Sequence, residues 1–225
     1  MKRTHLKQKG FTLTELMIVV ALAAIFATLA VPNMGGMIAR QRVQGQAAEI
    51  ANAFTFAHNE AVRLGKPVFV VPGQVNPNGK LQGGAADWTS ANALLVFADN
   101  DPDNNQTYDT GEDLRVVSIN TKVPFDKPTR ESLGAALSGD EDDKMSFVYY
   151  SNGQMRIKGN GTVLQAPGAI GRIVIKDANR TTKNQATRFC EVIRVDATGR
   201  SSLYTGKRSD LNNKTTDFFY CESKK

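Results

Sequence analysis

The feature that constrains this chain most is a long apolar run near its start. Residues 11–31, FTLTELMIVVALAAIFATLAV, follow a basic flank that contains Lys2, Arg3, Lys7 and Lys9. A helix needs about 20 such residues to cross the hydrocarbon core of a bilayer. Because cytoplasmic flanks carry an excess of lysine and arginine, the pattern predicts one membrane-spanning helix, with the basic end in the cytoplasm and the rest of the chain on the far side.

One carboxylate, Glu15, interrupts this run about one turn from its start. A charged side chain at the centre of a bilayer costs about 2.5–3.5 kcal/mol on insertion scales and usually marks a function. An ordinary secretory signal peptide would have a shorter apolar region and a small-residue cleavage site, for which residues 27–30 give a passable match. A plain signal anchor explains the length and the charges. Neither alternative explains Glu15, which needs a partner.

The residues around the start of the run carry a specific resemblance. The hexapeptide GFTLTE, residues 10–15, resembles the class III signal of type IV pilins and pseudopilins. The resemblance implies that a prepilin peptidase cuts between Gly10 and Phe11, that residues 1–10 are removed as a leader, and that the Phe11 amine is then N-methylated. It also implies that Glu15 sets the register of assembly. In a helical bundle its carboxylate can meet the Phe11 amine of a neighbouring subunit, and opposite charges attract strongly at low dielectric.

Net charge gives little support for nucleic-acid binding. The sequence carries a net charge of +6, but residues 1–10 hold four of the cations and no acid. Without that segment the net charge falls to +2. The basic character is therefore mostly a property of the leader.

An amphipathic helix is predicted after the apolar run. Pro32 and two glycines after it predict a helix break near residue 32, whereas Gly65 and Pro67 predict the helix end. His58 falls beside the apolar stripe and is expected to be a surface or boundary residue. We expect the stripe to cover a sheet of the same domain rather than to form a coiled coil. Its residues recur at alternating spacings of four and three: Val43, Ala47, Ile50, Phe54, Ala57, Ala61 and Leu64.

After Pro67 the pattern changes to short β-type runs separated by turn signals. One long helix followed by hairpins predicts an α+β fold in which the helix packs on antiparallel sheet. We expect one globular domain over residues 32–225, with its helix ending near residue 64. The predicted strands are 68–71, 94–97, 114–119, 145–150, 154–157, 170–175, 190–195, 200–204 and 218–221.

Three further patterns narrow the resemblance. Residues 57–68, residues 97–112 and residues 196–200 resemble H-type minor pseudopilins of type II secretion and FimT or FimU minor pilins. This implies a pilin-like fold and a structural subunit, not an enzyme, that helps to initiate or cap a type IV pilus or a secretion pseudopilus. It implies no cofactor. The implied partners are other minor pilins, the major pilin, the prepilin peptidase and the bacterial inner membrane, with the globular domain in the periplasm.

The two cysteines, Cys190 and Cys221, are too far apart for a CxxC redox or zinc pair. After export they would lie in an oxidising compartment. A bridge between them would close a loop of about thirty residues and stabilise the fold by about 3 kcal/mol in the chain-entropy model. We therefore predict a Cys190–Cys221 disulfide.

An acidic stretch after the second predicted strand contains Asp99, Asp101 and Asp103. Its alternating oxygen ligands are typical of calcium loops, which makes calcium a hypothesis. However, Asn104 stands where an EF-hand needs glycine, and Thr110 stands where it needs glutamate. An Asp/Asn-rich hairpin turn is the preferred interpretation, and no metal site is predicted.

The pair Gly199-Arg200 resembles the start of a glycine-arginine-x-arginine motif of DNA-binding FimT-type pilins of natural transformation. Here Ser202 replaces the second arginine, although Lys207 and Arg208 follow. A DNA-binding minor pilin is therefore the alternative function. A solvated hairpin is the preferred interpretation, because the charge without the leader is low.

Catalysis finds no support in the sequence. Only His58 remains outside the leader, which contains His5. There is no phosphate-binding loop, no metal-binding motif and no nucleophile with an evident histidine base. We therefore predict that the chain is not an enzyme.

Overall fold

Two compact units make up the chain, one ending at Ala39 and the other beginning at Arg40. The structure is a computed structural model. It describes residues 11–78, 80–82, 86–99, 108–124, 128–131, 145–159, 162–164, 170–176 and 190–205. From the sequence we expected the globular domain to begin at residue 32, within the first of these units.

The chain begins its described part with a long helix, α1, which covers Leu13–Leu64, 52 residues. Its backbone stays helical through Pro32, so the break expected there is not found. A proline removes only one hydrogen bond of the helical ladder, and the turns on either side can hold the helix together. The end is as predicted. Gly65 has a φ of +68° and donates its N–H to the carbonyl of Ala61 at 3.1 Å, as a glycine just past a helix end commonly does.

The second half of α1 supplies one side of the core. Six of the seven predicted stripe residues are at most 1% exposed, and Leu64 packs at the edge. Four of the seven fully buried residues of this half are alanines, which let the strands approach the helix backbone closely. The stripe therefore covers sheet of the same unit, as predicted. The fully buried helix residues are Val43, Ala47, Ile50, Ala53, Phe54, Ala57 and Ala61.

Ten strands follow within the described residues, and eight of them coincide with predicted runs. The two that were not predicted, β4 and β7, have only three residues each, too few to show an alternating pattern. The predicted strand at 218–221 lies outside the described residues. The strands are β1 Val68–Gly73, β2 Ala93–Ala98, β3 Asp113–Ser118, β4 Thr129–Glu131, β5 Ser146–Tyr149, β6 Met155–Gly159, β7 Thr162–Leu164, β8 Ile170–Lys176, β9 Cys190–Val195 and β10 Ser201–Thr205.

The strands form two antiparallel sheets. The larger has the order β3-β2-β1-β5-β6-β7, and the smaller has the order β10-β9-β8-β4. All described strand pairs are antiparallel. The α+β class predicted from the sequence is confirmed, and the division into two sheets is new.

Phe147 of β5 lies where the helix and the two sheets meet. Its ring contacts Phe54 of α1 edge-to-face, with ring centroids 5.0 Å apart. It also covers Gly171 of β8 so closely that a methyl group at Gly171 would overlap the ring. A glycine in β8 therefore lets the larger sheet pack directly against the smaller one.

Two polar contacts fasten α1 to one edge of each sheet. At the larger sheet, the Gln46 amide donates to the carbonyl of Ser118 at 3.4 Å and accepts the N–H of Asn120 at 3.0 Å. At the smaller sheet, the Ser201 hydroxyl donates to the carbonyl of Ala51 at 3.2 Å. Because Gln46 is buried, the pairing of its amide also avoids the cost of an unsatisfied polar group.

Candidate functional site

The first residues of α1 form a capped helix start. The Thr12 hydroxyl oxygen accepts a hydrogen bond from the backbone N–H of Glu15 at 3.3 Å, and the Thr12 carbonyl accepts the N–H of Leu16 at 3.1 Å. Thr12 is therefore the N-cap, and Glu15 occupies the third helical position, as in the Ser/Thr-x-x-Glu capping box. This role of Thr12 was not predicted, although the Thr12-x-x-Glu15 spacing is the signal for it.

The first turns of α1 expose apolar side chains on every side. The exposed fractions range from 50% at Leu22 to 85% at Phe11, and Glu15 is exposed among them. A large contiguous apolar surface of this kind marks an interaction site with protein or membrane. Its large members are Phe11, Leu13, Leu16, Met17, Ile18, Val19, Val20, Leu22, Ile25 and Phe26.

Three predictions for this end of the chain stay predictions: the membrane-spanning role of residues 11–31, the cleavage after Gly10 and the methylation of Phe11. Gly10 lies outside the described residues. In the part of the chain that the structure describes, no helix combines the length and the apolar character needed to cross a membrane.

Two hairpin turns of the second unit have the same backbone form. In the β5–β6 turn the N–H of Gly153 donates to the carbonyl of Tyr150, and in the β9–β10 turn the N–H of Gly199 donates to the carbonyl of Asp196, both at 2.9 Å. Both glycines have a φ of +79°, a conformation that glycine adopts without steric cost. The Asp196 carboxylate also accepts the N–H of Arg200 at 3.1 Å, which fixes the backbone where β10 begins.

These two turns pack directly on one another. The N–H of Met155 donates to the carbonyl of Ala197 at 3.0 Å. A methyl group added at Gly199 would lie 2.7 Å from the carbonyl oxygen of Gly153 and 3.0 Å from the Tyr149 ring. Position 199 therefore needs glycine for two reasons, the backbone conformation and the close packing. The contact joins one end of the larger sheet to one end of the smaller.

His58 of helix α1 lies next to the contact between the two turns. The His58 ring stacks on the ring of Tyr149, with centroids 5.7 Å apart and an interplanar angle of 24°. His58 is half-buried, which confirms the predicted boundary position. Tyr149 is fully buried, and its hydroxyl has no hydrogen-bond partner among the described residues. Burial raises the pKa of Tyr149 well above its usual range, and the Asp196 carboxylate raises it further, so the phenol stays neutral.

A polar cavity of about 270 Å³ lies beside the β9–β10 hairpin, lined by Arg194, Asp196, Arg200, Ser202 and Tyr204. Arg194 and Ser202 are cross-strand partners. Tyr204 lies two residues after Ser202, so it shares the same face of the sheet. The fold thus brings Arg200, which was singled out from the sequence, next to Arg194, which was not. Only the pairing of β9 with β10 brings them together.

Comparison with known families gives two matches. The prokaryotic N-terminal methylation motif matches residues 5–31, and the type II transport protein GspH family matches residues 46–199. The second match covers more than half of the chain. The chain belongs to the GspH family. The resemblance to H-type pseudopilins and FimT-type minor pilins, predicted from the sequence, is therefore confirmed at the level of the family.

Individual relatives of this GspH-family chain cover it in part. A fimbrial protein of Pseudomonas aeruginosa is 43% identical over 61 residues, which are 27% of this chain. The chain spans only 39% of the length of that curated relative. The solved type IV minor pilin FimU of the same organism is 15% identical over 72% of this chain and 91% of its own, with a TM-score of 0.41. The minor pseudopilin EpsH of the Vibrio cholerae type 2 secretion system is 13% identical over 73% and 95%, with a TM-score of 0.36.

The first cysteine of the GspH-family chain takes part in a disulfide. Cys190 is buried at the start of β9, packs with Val174 and Val192, and is disulfide-bonded. Cys221, the only other cysteine in the sequence, lies outside the described residues. The Cys190–Cys221 pairing is therefore kept as a prediction.

The remaining predicted site residues are only partly described. Asp99 follows β2, but Asp101 and Asp103 lie outside the described residues, as do Lys207 and Arg208. Within the described ranges no group of three or more histidine, cysteine or acidic residues could hold a metal ion. The calcium hypothesis and the two additional DNA contacts stay untested.

Proposed function

We propose that this GspH-family chain is a minor pilin or pseudopilin, a structural subunit that helps to initiate or cap a type IV pilus or a type II secretion pseudopilus. The observation that carries the proposal is the exposed apolar surface of residues 11–26 with a single carboxylate one turn from its start. Such a surface needs cover on all sides, which the core of a helical filament or a bilayer supplies. The second unit adds a sheet domain suited to selecting partner subunits.

In the proposed mechanism, the leader of residues 1–10 is removed and the Phe11 amine becomes the new chain end. Before assembly the first half of α1 is held in the inner membrane, and the sheet domain lies in the periplasm. During assembly the Glu15 carboxylate of one subunit pairs with the Phe11 amine of a neighbour. Because both charges then lie in low dielectric, only registers that bring them together avoid the cost of an unpaired buried charge.

The experiment that tests this role is Glu15→Ala in the full chain, with Glu49→Ala as the matched control. Glu49 is an exposed acid in the second half of the same helix. We expect Glu15→Ala to lose incorporation into filaments and to lower filament number, while Glu49→Ala incorporates normally. Normal incorporation and filament number for Glu15→Ala would refute the register role. Membrane fractionation of both variants shows whether each one still reaches the membrane.

A DNA-binding minor pilin is the alternative proposal. One observation favours it: Arg200 is exposed and lines a cavity with a second arginine, Arg194. The Asp196 carboxylate in the same cavity and the low charge without the leader count against it. DNA retardation by the full chain that is unchanged in Arg200→Ala would reject the specific contact.

A further inference from the structure

We propose that the polar cavity of the β9–β10 hairpin is a docking site for an acidic side chain of a partner protein. The inference rests on the proposed function, because it names the chemistry by which a minor pilin selects its neighbour. The cavity, about 270 Å³, holds two guanidinium groups, a phenol and a hydroxyl around a single carboxylate. Its position at the exposed start of an outer strand makes it reachable by another subunit.

The backbone around the cavity is fixed before any partner arrives. The Asp196 carboxylate accepts the N–H groups of Thr198 and Arg200 and the Thr198 hydroxyl, at 2.6–3.1 Å. The turn cannot shift easily, because Gly199 is packed against Gly153 and the Tyr149 ring. A preorganised site loses less conformational entropy on binding. Arg200 is therefore presented on a rigid turn.

The side chains of the cavity suit a carboxylate ligand. An arginine presents a planar fork of N–H donors that matches the two oxygens of a carboxylate. The Ser202 hydroxyl lines the cavity beside Arg200 and can donate to a carboxylate oxygen that the fork leaves open. Arg194, half-buried across from Ser202, adds positive potential at the base of the cavity. One glutamate or aspartate side chain can use the Arg200 fork and the Ser202 hydroxyl together.

The charge pattern favours an acidic protein segment over a nucleic acid. A nucleic-acid strand carries one negative charge about every 3.4 Å and is held by a strip of cations. The cavity instead combines two cations with the Asp196 carboxylate, which would repel a second phosphate beside the first. A single carboxylate avoids this repulsion.

The test uses the full chain in mild detergent and fluorescently labelled hexaglutamate as the probe, with hexaglutamine as the uncharged control. Binding is measured by fluorescence anisotropy for the unmodified chain, Arg200→Glu, Arg200→Lys and the matched control Arg42→Glu. Arg42 is an exposed arginine that does not line the cavity. We expect Arg200→Glu to weaken hexaglutamate binding by about tenfold or more, because charge-assisted hydrogen bonds are lost. Arg200→Lys should fall in between, and Arg42→Glu should bind like the unmodified chain.

Three results would overturn the proposal. The first is no difference between hexaglutamate and hexaglutamine. The second is an equal loss in Arg42→Glu, which would indicate a general effect of net charge. The third is stronger binding of a single-stranded DNA oligonucleotide of equal charge that also depends on Arg200, which would assign the cavity to nucleic acid. These three results concern peptide binding only. The proposed function is tested separately, by the incorporation of Glu15→Ala into filaments, so the two proposals can fail independently.

Discussion

The two halves of α1 are both rich in apolar residues, yet they lie in opposite environments. From Leu13 to Phe26 the large apolar side chains are at least half exposed, whereas from Val43 to Ala61 the apolar stripe is at most 1% exposed. The first half is apolar around its whole circumference, while the second has an apolar stripe opposite a polar face. The second half thus completes its packing within the subunit. From Leu13 to Phe26, the first half leaves its large apolar side chains exposed.

The largest difference between the halves is expected for phenylalanine truncation. Phe54 is fully buried and contacts Phe147, whereas Phe26 is 69% exposed. Phe54→Ala should lower the free energy of unfolding by about 3–5 kcal/mol, because it leaves a cavity in the core. Phe26→Ala should change it by no more than about 0.5 kcal/mol. Denaturant unfolding of the full chain in mild detergent, followed by circular dichroism, measures both.

An equal loss of stability in the two phenylalanine variants would contradict the different environments of the two halves of α1. Normal assembly of Phe26→Ala into filaments would contradict the proposal that the first half packs within the filament. We expect the reverse pattern for assembly, with Phe26→Ala impaired despite its normal stability.

A smaller loss of stability is expected when the hydrogen bonds between Gln46 of the second half and the larger sheet are removed. Gln46→Leu removes the partner of the Ser118 carbonyl and of the Asn120 N–H. A buried group left unpaired costs about 1–3 kcal/mol, so the unfolding free energy should fall within that range. The matched control is Gln41→Leu, because Gln41 is exposed on the same helix. Equal stability of the two variants would show that the Gln46 amide contributes nothing beyond its apolar contacts.

Gln46 also illustrates how far the sequence alone could predict this fold. The buried stripe and eight strands were predictable because their signals, a 3.6-residue period and β-branched runs, are local. Gln46 is not among the stripe residues predicted from the sequence, because nothing nearby in sequence shows that the end of β3 needs a hydrogen-bond partner. The contact of Phe147 with Gly171 and the cavity beside Arg200 likewise depend on pairings between distant strands. Glu15 was identifiable because an acid in an apolar run is itself a local signal.

At the start of the first half of α1, we expect a substitution to lower helix stability locally and to leave the stability of the second unit unchanged. Thr12→Val removes the hydroxyl that accepts the Glu15 N–H, and loss of an N-cap costs about 1 kcal/mol. The loss should appear as faster hydrogen exchange at the first amides of α1, with no change at the second half. Thr14→Val is the comparison variant, because it removes the contact of the Thr14 hydroxyl with the Thr12 hydroxyl at 3.0 Å but leaves the oxygen that accepts the Glu15 N–H. Unchanged exchange in Thr12→Val would mean that Thr12 does not determine the helix start.

The smallest effect at neutral pH is expected for Tyr149→Phe, at the contact between His58 of the second half and the two hairpin turns. The lost hydroxyl is buried without a partner among the described residues, so its removal should change stability by less than about 1 kcal/mol. The pH dependence of the free energy of unfolding distinguishes Tyr149→Phe from the unmodified chain. Burial raises the folded-state pKa of Tyr149 above the unfolded value of about 10. The unfolded chain therefore releases this proton first.

The contribution of Tyr149 to stability is thus fully present below about pH 10 and falls as the pH rises further. Tyr149→Phe lacks this titration, so its stability relative to the unmodified chain should increase between pH 9 and pH 11. Denaturant midpoints measured at several pH values in this window give the difference directly. A constant difference across the window would mean that Tyr149 ionises in the folded chain as it does in the unfolded one, and that the junction is open to water.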